Sequence, residues 1–195
     1  MYVIGITGGV GAGKSAVLSI LKEEVECEII RADDIANELK LKGHQCYDKI
    51  VEVLGDQILD PDGEIDRNLM SMIVFEDDYK MKQVEQILHP AVKRYILDMI
   101  EEKRREDKIK YLFIEAALLI ENGYKPICDE IWYIYASVPT RTRRLMTNRG
   151  YSIQKIESIM DKQLSDAEFR KNCECIIYND GDLEKTKEDI KNTLH

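Results

Sequence analysis

The sequence is poor in several features that mark whole functional classes. Only four of its 195 residues are proline, and no stretch is of low complexity, so a disordered or collagen-like chain is excluded. The five cysteines, Cys27, Cys46, Cys128, Cys173 and Cys175, include no CxxC pair, which indicates neither a disulfide framework nor a zinc site. Cys173 and Cys175 stand two apart in an expected strand, on one face, and packing is the simpler reading. No apolar run approaches the ~18 residues of a membrane span, and the N-terminal residues lack the basic and apolar regions of a signal peptide, so a cytoplasmic protein is expected. Positive charge is in deficit too: 28 Lys and Arg against 37 Asp and Glu leave a net charge of -9, which argues against nucleic acid or a membrane as partner. No repeat at solenoid spacing occurs.

What remains is an ordinary soluble composition, 44% hydrophobic, long enough for one domain, with or without an inserted subdomain, and a real core. Tyr2 to Thr7 reads as a buried strand, followed by glycines and an apolar helical pattern at Val17, Leu18 and Leu21. Further strands are expected from Cys27 to Asp33, Tyr111 to Glu115, Ile131 to Ala136 and Cys175 to Tyr178. Strands alternating with helices predict a parallel sheet with helices on its faces. The interval from Ile35 to Lys110 exceeds one crossover and reads as a helical insertion, with a turn at Leu59-Asp60-Pro61-Asp62-Gly63. Inside it, Pro90 predicts two successive helices between Asp78 and Lys108, since proline lacks the backbone donor. The Glu101-Glu102-Lys103-Arg104-Arg105-Glu106 run reads as a solvated helix end.

Between the first strand and first helix lies Gly8-Gly9-Val10-Gly11-Ala12-Gly13-Lys14-Ser15, matching G-x-x-x-x-G-K-[ST]. Glycines let successive N–H groups turn towards phosphate oxygens, the helix N-terminus adds positive potential, and Lys14 adds a full charge. Gly9, Val10, Gly11, Ala12, Gly13, Lys14, Ser15 and Ala16 are the expected nucleotide contacts, with the Ser15 hydroxyl a ligand for Mg²⁺. No G-x-G-x-x-G register fits these glycines, and no Asn-Lys-x-Asp element for guanine occurs. Small size and a large insertion favour a small-molecule kinase, which needs an acceptor site, a carboxylate for the acceptor proton, and cations over the phosphates.

Asp33 lies 19 residues after Lys14, at the expected end of the second strand. It is a candidate for the carboxylate, against the plainer reading that Asp33 or Asp34 caps the next helix. Glu115 closes the Tyr111 strand, placed either for the Mg²⁺ shell or as an exposed strand-end carboxylate. Arg141, Arg143, Arg144 and Arg149 put four guanidinium groups in nine residues on a helix expected to begin near Pro139. They read as phosphate contacts or as a solvated face, and all four cannot share one side of a helix.

Taken in order, these segments resemble the dephospho-CoA kinase family over nearly the whole chain. The resemblance is carried by the loop, by Ala32-Asp33-Asp34-Ile35-Ala36, by Gly63-Glu64-Ile65-Asp66-Arg67 with Leu69 and Val74-Phe75, and by Ile87-Leu88-His89-Pro90. It continues through Leu118-Leu119-Ile120-Glu121, Gln163 at a lid position and Ile176-Ile177-Tyr178-Asn179-Asp180-Gly181. Departures fall at Arg31, Asn37, Ala117 and Thr142, and the spacing from Arg144-Leu145 to Arg149 is one residue longer than usual in the family.

The resemblance implies a three-layer α/β P-loop fold with core residues 1–34, 110–138 and 169–195, a helical acceptor-binding insertion over 35–109 and a lid over 139–168. It implies transfer from ATP, with Mg²⁺, to the ribose 3′-hydroxyl of dephospho-CoA. Asp33 would then be the catalytic aspartate, assisted by Lys14 and the lid arginines Arg144 and Arg149. Arg67, His89 and Leu118 would join Asp33 in holding the acceptor. For His89 a helix-boundary role, and for Arg67 a helix-start ion pair with Asp66, stand as alternatives. A kinase of another small metabolite such as a nucleoside, or a nucleotide-sensing module, would share the loop. A monomer or weak oligomer is expected.

Overall fold

The computed structural model describes residues 1–194. They fold as two compact units, residues 1–30 with 103–194, and Arg31–Glu102. In the first unit lie β1 (Tyr2–Thr7), α1 (Lys14–Glu24), β2 (Cys27–Arg31, which ends at the boundary), β3 (Tyr111–Glu115), β4 (Glu130–Tyr135), α6 (Val138–Arg149), α7 (Ile153–Met160), α8 (Asp166–Asn172), β5 (Cys175–Tyr178) and α9 (Leu183–Thr193). The second holds α2 (Ala32–Glu38), α3 (Tyr47–Leu54), α4 (Arg67–Glu76) and most of α5 (Asp78–Glu106).

The strands form a five-stranded sheet in the order β2-β3-β1-β4-β5. β1 pairs in parallel with β3, Ile6 opposite Glu115, and with β4, Thr7 opposite Tyr133. β4 pairs in parallel with β5, Tyr135 opposite Tyr178. Strands covered on both faces need near-continuous apolar sequence, which β1 (Val3, Ile4, Ile6) and β3 (Leu112, Phe113, Ile114) supply with side chains at most 1% exposed. α1 lays Val17, Leu18 and Leu21 onto this sheet, in one buried cluster with Ile4, Ile6, Phe113, Trp132, Ile134, Ile177 and Ile190. Phe113 meets Trp132 edge to face, and the indole donates to Glu130. Because β1 is central, its C-terminal end opens between two neighbouring strands, the position at which α/β sheets bind ligands.

In the second unit the Asp60 turn forms as its sequence predicts. Gly63 N–H donates to the Asp60 carbonyl, and the Asp60 carboxylate accepts from the N–H groups of Asp62 and Glu64. Tyr47 donates its hydroxyl proton to the Gly63 carbonyl.

Three expectations are corrected. The second strand ends at Arg31, and Asp33 lies in the first turn of α2. Ala32, Ile35 and Leu39 are buried at helical spacing, while Asp33 and Asp34 face solvent near a helix N-terminus that favours negative charge. Arg31 holds the N-cap position, so neither aspartate is the cap. The Pro90 region is one helix, not two. An internal proline costs about 3 kcal/mol, but Val84, Val92, Ile96 and Ile100 are buried on either side of it, each worth about 1.5–3 kcal/mol, and burial wins. Finally, Cys173 is the residue after α8 and not part of β5, so it shares no strand face with Cys175.

Candidate active site

The loop Gly8–Gly13 leaves the C-terminal end of β1 and enters α1 at Lys14. Gly13 is the N-cap of α1 at φ 91°, with no side-chain cap and no acidic residue in the first turn. The positive end of this helix therefore meets no carboxylate of its own and is suited to an external anion.

Three cations hold alternate carbonyls of the loop. Lys14 Nζ donates to Gly8 O at 2.7 Å, Arg141 Nε to Val10 O at 2.8 Å, and an Arg144 guanidinium nitrogen to Ala12 O at 3.1 Å. A trans peptide is planar, with C=O and N–H opposed. In each of these peptides the N–H of the following residue, Gly9, Gly11 or Gly13, therefore points away from the cation that holds the carbonyl. The N–H groups between them are already paired, Val10 with Gln163 Oε1 and Ala12 with Gly9 O. A Cβ at Gly9 would lie 2.4 Å from the Arg141 guanidinium, so a side chain there would displace that guanidinium from the loop.

α6 delivers both arginines. Ser137 caps it through Thr140 N–H, Pro139 stands in its first turn, and Gly150 closes it in the left-handed conformation. Arg141 and Arg144 are three apart and therefore share a face. Burial of Arg141 lowers its pKa from the ordinary guanidinium value, and two acceptors offset that desolvation: Val10 O and, at 3.0 Å, Gln163 Oε1. Gln163 Oε1 also accepts from Val10 N–H at 2.9 Å, tying the segment after α7 to the loop. Arg143 is exposed; so is Arg149, whose guanidinium lies 6.0 Å from the Tyr151 ring centre. Of the four arginines counted in the sequence, the loop thus takes Arg141 and Arg144. Arg141 was legible there only as one of a cluster, because i,i+3 spacing does not say which face of a helix is inward.

The β5–α9 turn adds a buried polar link. Asn179, 2% exposed, donates its carboxamide N–H to Ala12 O at 2.8 Å, while its main-chain carbonyl accepts from Arg144 at 2.8 Å. The Asp180 carboxylate accepts from Ser137 N–H and Oγ at the start of α6, and hydrogen bonds from Thr140 and Ser137 hold its pKa below the usual range. Glu115, half-buried, ends β3 opposite Ile6, two residues before the first loop glycine. Ser15 is exposed in the first turn of α1. Leu118 is 40% exposed, whereas its neighbour Leu119 is fully buried.

The second unit carries the other expected residues. Asp33 is exposed on α2. Arg67 is exposed at the start of α4, where the Asp66 carboxylate caps the helix by accepting from Asn68 and Leu69 N–H groups. His89 is half-buried within α5. Sequence reading passed over Lys40, a half-buried ammonium whose pKa is lowered by desolvation and by the Arg67 charge and raised in part by Asp33. A lone lysine in an unremarkable segment gives no signal of such a neighbourhood. Among the described residues no group of three or more His, Cys, Asp or Glu is placed to hold a metal ion, and no helix is long and apolar enough to cross a membrane.

The family model for dephospho-CoA kinase matches residues 2–185. A dephospho-CoA kinase of Moorella thermoacetica is 33% identical over 191 residues, covering 98% of this chain and 90% of that one. One from Geobacter sulfurreducens is 36% identical, covering 97% of each. A crystal structure from Thermus thermophilus superposes with a TM-score of 0.82 at 25% identity, over 98% of this chain and 95% of that one. With a family match over residues 2–185 that runs through both units, the chain belongs to the dephospho-CoA kinase family.

Proposed function

We propose that this chain transfers the γ-phosphoryl group of ATP to the ribose 3′-hydroxyl of dephospho-CoA, giving coenzyme A and ADP. The observation that carries the reading is the extent of the family match, residues 2–185. It takes in the phosphate loop, which nucleotide donors share, and also the whole unit Arg31–Glu102, where an acceptor must be distinguished. Acting on small molecules, the enzyme works in the cytoplasm without nucleic acid or membrane as partner, as a monomer or weak oligomer.

Little covalent work falls to a kinase, and rate comes from positioning and charge. The N–H groups of the loop and of the first turn of α1, with Lys14, bind the β- and γ-phosphates, and Gly9 to Ala16 form the nucleotide contacts. Arg144, already at the loop, neutralises charge that develops during transfer, and Arg149 enters from the end of α6 if that end moves. Asp33 accepts or orients the proton of the acceptor hydroxyl. Arg67, His89 and Leu118 hold the acceptor. A divalent cation would be held by hard oxygens, the exposed Ser15 hydroxyl and the strand-end carboxylate Glu115, which suit Mg²⁺. Held by Ser15 and Glu115, the ion would supply positive charge to offset that of the β- and γ-phosphates.

The test is ADP release with ATP and dephospho-CoA against a panel of nucleosides and other hydroxyl acceptors. Acceptor-dependent turnover restricted to dephospho-CoA is expected. Turnover with another acceptor at equal or greater kcat/KM, or ADP release independent of acceptor, overturns the reading.

A further inference from the structure

We propose that Asn179 is a positioning residue for phosphoryl transfer, its buried carboxamide holding the Ala12–Gly13 turn of the phosphate loop and its main-chain carbonyl holding Arg144. The proposal rests on the reading that the loop binds nucleotide, and extends it to a residue outside the motif.

The Ala12 carbonyl accepts from two directions, from Asn179 Nδ2 at 2.8 Å and from Arg144 at 3.1 Å. With one oxygen held twice in a planar peptide, the Gly13 N–H on its far side has a set direction. That N–H and those of Lys14 and Ser15 begin α1, the end of the helix at which a phosphate is bound. The fit is close: Gly13 has φ 91°, and a Cβ there would lie 2.2 Å from Asn179 Nδ2. The loop glycine and the asparagine occupy each other's missing volume.

Asn179 is itself held from behind. Its N–H donates to Tyr135 O, extending the β4–β5 pairing by one residue past Tyr178. Its Oδ1 lies 3.3 Å from the hydroxyl of Thr186, which is 1% exposed on α9 and also reaches Tyr178 O at 3.0 Å. A carboxamide suits this place because it presents a donor to the loop and an acceptor to Thr186; aspartate has the same shape but no donor. One buried residue thus couples the loop and the last helix through its side chain, and the arginine that faces the loop through its main-chain carbonyl. A 1 Å misplacement of such groups is enough to cost on the order of 10²-fold in rate.

Asn179→Ala and Asn179→Asp are compared with the unmodified chain by ADP titration calorimetry and by steady-state kinetics with both substrates varied. Expected are a tenfold or greater weakening of ADP, a tenfold or greater loss of kcat, a raised KM for ATP and a KM for dephospho-CoA within twofold of the unmodified enzyme. A purely structural role would lower the melting temperature and the active fraction while leaving ADP affinity and the KM for ATP in place. Because either Asn179 variant can fail to fold, Thr186→Val and Thr186→Ser are measured beside them. The valine is expected to weaken ADP about threefold, and the serine, which keeps the hydroxyl, to restore it. Unchanged ADP affinity in Thr186→Val overturns the proposal whether or not the Asn179 variants fold, as does an equal rise of both KM values in Asn179→Ala. If the unmodified chain binds no ADP, the nucleotide reading itself falls.

Discussion

The two units treat their candidate site residues differently. Around the Gly8–Gly13 loop three cations are held: Arg141 by Val10 and Gln163, Arg144 by Ala12 and Asn179, Lys14 by Gly8. In the unit Arg31–Glu102, Asp33 and Arg67 are exposed on short helices, and α4 and the residues after it leave Met72, Phe75 and Tyr79 62%, 81% and 71% exposed. A triphosphate presents the same oxygens every time, so its site gains from being rigid before binding. An acceptor with long flexible arms is better met by surfaces free to close on it.

The comparison is broken most sharply at Asp33. If the exposed unit supplies the base, Asp33→Asn lowers kcat by roughly 10²–10⁴ with little change in the KM for ATP. Asp34→Asn, one residue on and exposed in the same turn, stays near wild type. Steady-state kinetics on the pair decides it, and a dead Asp34→Asn beside an active Asp33→Asn would move the base by one residue. Next in size is Lys14→Ala, expected to lower kcat/KM for ATP by roughly 10²–10³ with an unaltered circular dichroism spectrum. Full turnover in the folded variant contradicts the rigid phosphate site.

Arg67→Ala should raise the KM for dephospho-CoA about tenfold, which is ~1.4 kcal/mol, and that for ATP by less than twofold. A change confined to ATP would place Arg67 with the donor. The smallest effect belongs to Asp180, whose pKa is held down by Thr140 and Ser137. A carboxylate with a lowered folded pKa contributes stability that is present above its unfolded pKa and is lost as pH falls through the folded one. Because Asp180 is exposed and solvent screens its interactions to about 1 kcal/mol or less, Asp180→Asn should melt at most about 2–4 °C below wild type at pH 7. The gap should narrow as pH falls below the usual carboxylate range. A constant gap down to pH 3 would assign the loss to packing.

Much of this was legible in the residues. The loop motif needs only local spacing, and Tyr2–Thr7, Tyr111–Glu115 and Cys175–Tyr178 are strands with the bounds their apolar runs predict. Errors arose where two local signals met. At Ile30 to Asp33 a strand pattern runs into a helix start, and only the burial of Ala32, Ile35 and Leu39 in the folded unit says that the helix begins first. At Pro90 the local rule favours a break, yet flanking core residues hold one helix together. Gln163, Asn179 and Asp180 were visible only through family resemblance, since isolated amides and a turn aspartate have no periodicity to betray them.

The sequence by itself determined the chemistry: glycines that free the backbone, a lysine and a serine at the mouth of a helix, and alternating strands that require a parallel sheet. Those are properties of residue type and spacing within about a dozen positions, which local sterics and hydrogen bonding enforce without help. The tertiary structure decided which charges meet the loop. Val10 and Gln163 are 153 positions apart, and Ala12 and Asn179 are 167, yet each pair is in hydrogen-bond contact. Contacts at such separation come from the order of strands in the sheet and the packing of α1 and α6 about the loop, and no local pattern encodes them because their cost and gain are settled only when the whole unit is folded.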